Sequence, residues 1–496
     1  MRTGPFTRCI LCTALLAPFC TATAQLRNAN WVLGAQEHIR FLDNVPTFES
    51  APHAGGWACA ALSDVSGNLL VYALNEVIYN AADDTIANCP NLPALSSFSQ
   101  PWLFLPWPGH PSGVLLFRNE TSMWAGNVNP GRFGYALIDM DLDGGAGAVV
   151  GGFTWLSDSA TSKLTAVPHA NGEDYWVLTQ PFGTDEIAAY RLSADGVDSV
   201  PVIAHVGQPL EQTVDGISYG LRDGAMVASY PGDRLALCAF PSSYFGYGLD
   251  PCIIEVLRFD AATGSAELVA TIPSPMGTTV DGMEFSPDGS KLYFVTTDMP
   301  SSSFTIHQYD LSNFDQAAIV ASHYEVLNVP FTSVFGDPEL QLILAPDGQI
   351  YFHNEFSSNW LGVIASPDLP DAACDVIDHF LEFPNPPATG FPNQCRRYQD
   401  SELVAGLAPA PRDQLITPWP DPVRDHVHFP LPGAQGTSGM LIVRDGSGRA
   451  LLSVAVPAHA LATSVDVDMS GLPTGDYILC YTNGSSAPIH ARVSRL

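Results

Sequence analysis

The chain has 496 residues and a formal net charge of −31, with Lys163 and Lys291 its only two lysines. So acidic a surface excludes binding to nucleic acid or to anionic membrane through a basic patch. Long helical periodicity is absent, and 42 glycines and 41 prolines punctuate short apolar runs, the composition of an all-β protein.

Residues 1–24 carry the pattern of a secretory signal peptide. Arg2 and Arg8 give the basic start, Cys9 to Cys20 the apolar stretch, and Ala22-Thr-Ala24 the cleavage site. The apolar run is too short to span a bilayer, and no other segment is long and apolar enough for a transmembrane helix. The expected product is exported, secreted or held at the outer cell surface.

Residues 25–404 repeat one device. Ser286-Pro-Asp-Gly289 is a turn with proline at its second position and glycine at its left-handed one. The β-branched and aromatic run Lys291–Thr297 follows. Ala345-Pro-Asp-Gly348 before Ile350–His353 repeats it, and looser copies stand at Asp64–Tyr72, His169–Leu178 and Tyr230–Leu237. Further strands are expected at Ile187–Leu192, Ile253–Asp260, Phe304–Leu311, Ala266–Ile272 and Ala318–His323. Hairpin, strand, strand at a period of roughly 40–60 residues is the signature of propeller blades. Six copies are visible between residues 57 and 375, and Asn30–Gly34 is placed to complete a seventh. The predicted fold is a six- or seven-bladed β-propeller.

Export makes the cysteines readable as disulfides. Ten minus the three in the signal leaves seven, and three local pairs are expected: Cys238–Cys252, Cys374–Cys395 and Cys59–Cys89. Cys480 is left over as a buried thiol.

The alternating oxygens of Asp139, Asp141 and Asp143 before Gly144 match the first half of a calcium loop, but Val150 stands where the bidentate glutamate belongs. Ca²⁺ is thus a candidate ion, and no cofactor is otherwise required. For catalysis, a propeller gathers residues at its central channel. His110, Glu120, His169, Asp215, Asp281, Glu284, Asp337 and Glu339 are the candidates by type, Asp281-Gly-Met-Glu284 being the best placed. No G-x-S-x-G elbow, Walker loop, H-E-x-x-H or sialidase-type Asp box is present. Among aromatics, the loop Ser242–Gly248 with Tyr244, Phe245 and Tyr247 offers a stacking surface for glycan or peptide.

Residues 405–413 read as a Pro/Ala linker, and 414–496 as a small C-terminal β-sandwich with strands near 427–429, 439–445, 451–456, 463–467 and 476–481. Trp419-Pro-Asp-Pro-Val-Arg-Asp425, Val443-Arg-Asp-Gly-Ser-Gly-Arg449 and Met469-Ser-Gly-Leu-Pro-Thr-Gly-Asp-Tyr-Ile478 stand here in order. In them the block resembles the C-terminal sorting domain of the type IX secretion system of Bacteroidota. Trp419 and Asp421 depart from its usual Tyr or Phe and Asn, and the chain ends Arg495-Leu496 rather than with lysine. The resemblance implies that Pro420, Pro422, Asp425, Gly448, Leu472, Pro473, Gly475 and Tyr477 form a sorting signal read by the secretion machinery. Residues 30–400 are also similar to secreted propellers of that phylum, through Ala61–Tyr72, Tyr135–Met140 with Gly144–Gly147, and Lys163–Gly172. Together these readings imply an exported propeller that binds an extracellular protein or glycan. The alternative is a propeller hydrolase, lactonase-like or glycan-directed, with its site at the central channel.

Overall fold

The computed structural model describes residues 26–33, 35–42, 45–54, 58–74, 76–90, 100–120, 130–209, 211–214, 217–220, 224–239, 252–274, 278–298, 303–330, 341–353, 359–383, 390–399, 423–430, 439–445, 450–456, 464–482 and 489–496. Among them the protein is nearly all β, with a single six-residue α-helix, Gln316–Ala321. None of the described helices is long and apolar enough to cross a membrane.

Up to residue 382 the strands form small antiparallel sheets, each built from consecutive stretches of chain. The sheets begin at Asn30–Leu33, Cys59–Ser63, Trp102–Pro106, Leu164–Pro168, Met226–Ala228, Thr278–Phe285 and Leu342–Leu344. A two-stranded ribbon, Glu211–Val214 with Ile217–Gly220, stands between the fourth and fifth. The first strand of a sheet is largely apolar and buried, most completely in Trp102–Pro106. The last strand alternates and is half exposed, as in Tyr324–Pro330. Hydrophobicity therefore falls from the inner to the outer edge of each sheet, the arrangement of a propeller-like fold.

The repeated turn joins first strand to second. Gly289 N–H donates to Ser286 O at 2.9 Å and Gly348 N–H to Ala345 O at 3.0 Å. Both glycines sit at positive φ (72° and 81°), as do Gly67, Gly172 and Gly232 in the looser copies. A side chain at any of the five would strain the turn. The second strands that follow these turns also reach the next sheet. Trp176 Nε1 donates to Ala261 O, an Arg234 guanidinium nitrogen to Gly289 O, and the Tyr293 hydroxyl to Pro367 O. The motif recurs because it both closes a hairpin and latches one sheet to the next.

Neighbouring sheets share cores. Val32 packs with Cys59 and Tyr72, linking first and second. Leu62, Phe117 and Tyr175 lie in one core spanning the second to fourth. Leu178 meets Leu235, Val256 meets Phe285, and Tyr293 meets Ile350 in the next three cores. Finally Trp31 and Phe41 of the first sheet pack with Ile343 and Tyr351 of the last.

Four expectations change, one strand and three cysteine pairs. The segment expected as strand 318–323 is instead helical up to Ala321, because Asp315 caps the N–H groups of Ala317 and Ala318; the edge strand is Tyr324–Pro330. None of the six described cysteines is in a disulfide. Antiparallel register sets Cys238 opposite Ile254, so Cys252 lies two residues further along. Cys374 belongs to the core of the sixth and seventh sheets, while Cys395 lies in that of the second to fourth. Cys59 belongs to the core of the first two sheets, while Cys89 packs against the next core. The side chain of Cys480 lies outside the described set.

Residues 423–496 form a two-stranded sheet (His426–Pro430 with Ser464–Asp468) and a four-stranded one, ordered 450–456, 439–445, 475–482, 489–495. The last strand adds to the five expected. Val427, Phe429 and Val467 from the smaller sheet meet Leu441, Val443 and Leu479 from the larger in one core, a sandwich.

Candidate functional site

The first strand of each sheet is an edge strand, and its inward-facing backbone groups need partners. Gly390–Gln399 supplies many of them. This segment has no regular secondary structure, yet all of it except Arg397 is buried. Gly390 O accepts from the Cys59 thiol at 3.3 Å, and Asn393 N–H donates to Cys59 O at 3.0 Å. The Asn393 amide donates to both Trp102 O and Leu164 O at 2.9 Å. Gln394 Oε1 accepts from Trp31 Nε1, the Cys395 thiol donates to Ala166 O, and Phe391 N–H donates to Gln341 Oε1. At its far end the Gln399 amide donates to His169 O. Five of the seven sheets are reached in this way, the sixth through an Arg396–Glu284 pair, and the fifth joins through Ala225 and Val227, which line a small cavity with Phe391 and Arg396. The segment thus lies among the first strands of the sheets. The cavity left at the Gln100 and Gln341 end is about 40 Å³, room for a few waters.

Among the described candidates, Glu284 is the one whose side chain meets this segment. It is fully buried, and Arg396 Nη2 stands 2.6 Å from its Oε2. Oε2 also accepts from Leu344 N–H and Oε1 from Phe285 N–H, each at 3.0 Å. Burial pushes this carboxyl up, and Arg396 with the two N–H groups pulls it back. The geometry is that of a structural ion pair. In the seventh sheet His353 is held neutral, its pKa lowered to about 4 by burial, with its ring stacked on Phe391 at 4.2 Å.

The other described candidates do not converge there. His110 is exposed, stacks on Trp107 and meets Ala194 O of the next sheet. Glu120 pairs with Arg132 at 2.8 Å. His169 Nδ1 accepts from Asn171 N–H within its turn. Asp215, Asp337 and Glu339, the side chain of Asp281, and the aromatic loop with Tyr244, Phe245 and Tyr247 lie outside the described residues. Asp139, Asp141 and Asp143 are strung along a solvent-facing turn, where Asp139 Oδ1 accepts from Asp141 N–H. Among the described residues only His307, His323 and Glu325 bring three ligand atoms within 4.8 Å of one another.

In the sandwich, Pro420, Pro422 and Gly448 lie outside the described set. Asp425 O accepts from Met469 N–H and Leu472 N–H donates to Met469 O, which ties the first motif to the third. Pro473 O accepts from the buried Tyr477 hydroxyl at 2.6 Å. Gly475 opens the strand, and a Cβ there would meet nothing within 4 Å.

Glu255, in the fifth sheet, was not anticipated from the sequence. It is 2 % exposed, lies against Gly207, and accepts from Gln208 N–H. Burial raises its pKa from 4.5 to about 7. The folded state therefore binds this proton more tightly than the unfolded state does. The resulting stability is fully present below pH 4.5 and is lost as pH rises through 7. Glu255→Gln keeps the shape and removes the charge. It should gain about 2–3 kcal/mol over wild type near pH 8 and nothing near pH 4, read by urea unfolding at both. Equal gain at both pH values would refute the assignment.

No protein-family model and no curated protein matches the sequence. Among solved structures the chain is similar to a quinonprotein alcohol dehydrogenase-like protein from Bacteroides thetaiotaomicron, at 10% identity over 57% of this chain and 61% of that one, TM-score 0.33. It is similar to exo-β-1,3-galactanase from Phanerochaete chrysosporium, at 12% identity over 95% of each chain, TM-score 0.29. It is also similar to prolyl oligopeptidase B from Galerina marginata, at 10% identity over 79% of this chain and 49% of that one, TM-score 0.32. The chain thus spans about three-fifths of the first and half of the last. Likenesses this distant carry none of those proteins' activities to it.

Proposed function

We propose that the protein is an exported binding protein: a closed ring of seven blades that meets a protein or glycan at its outer surfaces, followed by a sandwich that addresses it to the type IX secretion machinery. The filled channel carries the binding part of this reading. A lactonase-like or glycan-directed propeller needs side chains converging on open space at its axis. Here Gly390–Gln399 takes that space, and Glu284 is committed to Arg396. Seven sheets in chain order, with the first sharing a core with the last, favour seven blades over six.

The export part rests on the ordered C-terminal motifs, with Tyr477 packing the third of them into the sandwich core. In the native host, a chain ending at residue 411 should fold and stay in the periplasm, whereas a signal-bearing reporter fused to residues 412–496 should reach the outside. Tyr477→Ala removes a buried ring and should destabilise the sandwich by about 3 kcal/mol, cutting export. Gly475→Ala, with open space around it, should be milder. Normal release of the truncated chain would make the sandwich a binding module instead.

A further inference from the structure

Outside the channel, the sixth sheet gathers a second set of chemically capable side chains. His307 lies on strand Ser303–Asp310, and antiparallel register sets Glu325 of the edge strand directly opposite it. His323 precedes Glu325 by two residues and so projects to the same face. His307 is buried, while His323 and Glu325 face solvent. His307 Nδ1 stands 2.8 Å from His323 Nε2, and the other ring nitrogen of His307 stands 2.7 Å from Thr296 Oγ1. Phe294 flanks the His307 ring, and Tyr309 stacks on His323.

We propose that His307 Nδ1, His323 Nε2 and the Glu325 carboxylate form a zinc-class metal site at the outer edge of the sixth sheet. Two imidazoles and one carboxylate suit Zn²⁺ rather than the all-oxygen shells of Ca²⁺ or Mg²⁺. With Nε2–H donated to Thr296, His307 presents its Nδ1 lone pair outward, the outer-sphere arrangement that fixes a ligating histidine's tautomer. On ligation His323 changes from its Nε2–H to its Nδ1–H tautomer, so the proton between the rings moves to Nδ1 and the ion takes its place. Tetrahedral ligation spaces two nitrogens about 3.3 Å apart, which exposed His323 reaches by a small outward rotation. A water completes the shell from the solvent side. Such an ion would clasp the edge strand and the 316–321 helix turn to the body of the sheet.

The full chain, stripped with chelator, is titrated with Co²⁺ and then with Zn²⁺. The intense visible band of four-coordinate cobalt should appear at one equivalent, and zinc should displace it. His323→Ala and Glu325→Gln, both at exposed positions, should each weaken binding at least 100-fold while the metal-free protein stays folded. Thr296→Val should weaken it about 10- to 100-fold. A second group, His426 and His428 beside Asp466 and Asp468, stands on the sandwich, so His426→Ala/His428→Ala serves as the control and should keep the band. Absence of the band in wild type, its survival in His323→Ala, or its loss in the sandwich variant would each overturn the assignment.

Discussion

Arg396→Met should destabilise the protein by about 3–5 kcal/mol in chemical denaturation, the cost of leaving a buried charge without its partner. Glu284 is 0 % exposed and holds Arg396 plus two backbone N–H groups. Methionine fills the volume of the arginine stem but neutralises nothing. Adding Glu284→Gln should recover part of the loss, because it removes the charge while its amide oxygen still accepts one N–H. Recovery stays partial, since the other N–H then faces an NH₂ group. Acid should narrow the gap between Arg396→Met and wild type. Burial already holds the Glu284 pKa above its unfolded value, and losing the arginine raises it further. The penalty is then complete above the folded pKa and relieved as pH falls through it. A loss below about 1 kcal/mol at neutral pH would mean that water from the adjoining cavity solvates the carboxylate. The ion pair would then no longer count as a fastener of the channel segment.

That segment marks the limit of what the sequence discloses. The blades were legible because their turns require proline and glycine at fixed offsets, and because inner strands read as unbroken apolar runs such as Trp102–Pro106. Gly390-Phe-Pro-Asn-Gln-Cys-Arg-Arg-Tyr-Gln399 has no period and reads as an exposed loop. Its burial depends on amides that pair with strands hundreds of residues away, Asn393 with Trp102 being one case. The available hint was an arginine pair and three amides directly after the last blade, in a chain poor in cations. Glu284 could be picked out as a buried-type carboxylate near a blade start. Whether it was a catalyst or half of an ion pair depended on Arg396, which only the fold brings to it. The disulfide expectation failed by register: two cysteines flanking one hairpin look bridgeable until pairing places them two residues out of step. His307, His323 and Glu325 escaped notice because the segment before the edge strand was taken as strand through His323. The Asp315 cap turns it into a helix and brings His323 to the edge.

Trp31→Ala should cost about 3–5 kcal/mol, the range for emptying a large aromatic site in a packed core, and the loss should be felt far from residue 31. The indole is 0 % exposed and stands where the first sheet, the seventh sheet and the channel segment meet. It lies edge-on to Phe41 at 4.6 Å, Phe391 at 5.5 Å and Tyr351 at 5.7 Å, and its Nε1 donates to Gln394 Oε1. Alanine removes those contacts and leaves the buried Gln394 oxygen without its donor. If the ring closes through this junction, opening it also unseats the segment that ties the inner strands together, and no sheet keeps its neighbour for long. Hydrogen exchange in the variant should therefore speed up by a similar factor in the inner strands of all seven sheets. Removing residues 26–42 should abolish the cooperative melt altogether. Ile203→Ala on the exposed outer strand of the fourth sheet should change stability by less than about 0.5 kcal/mol. Faster exchange confined to the first and seventh sheets, with the other five protected as in wild type, would show an open stack of sheets that tolerates a frayed end. Closure would then have to come from residues other than Trp31.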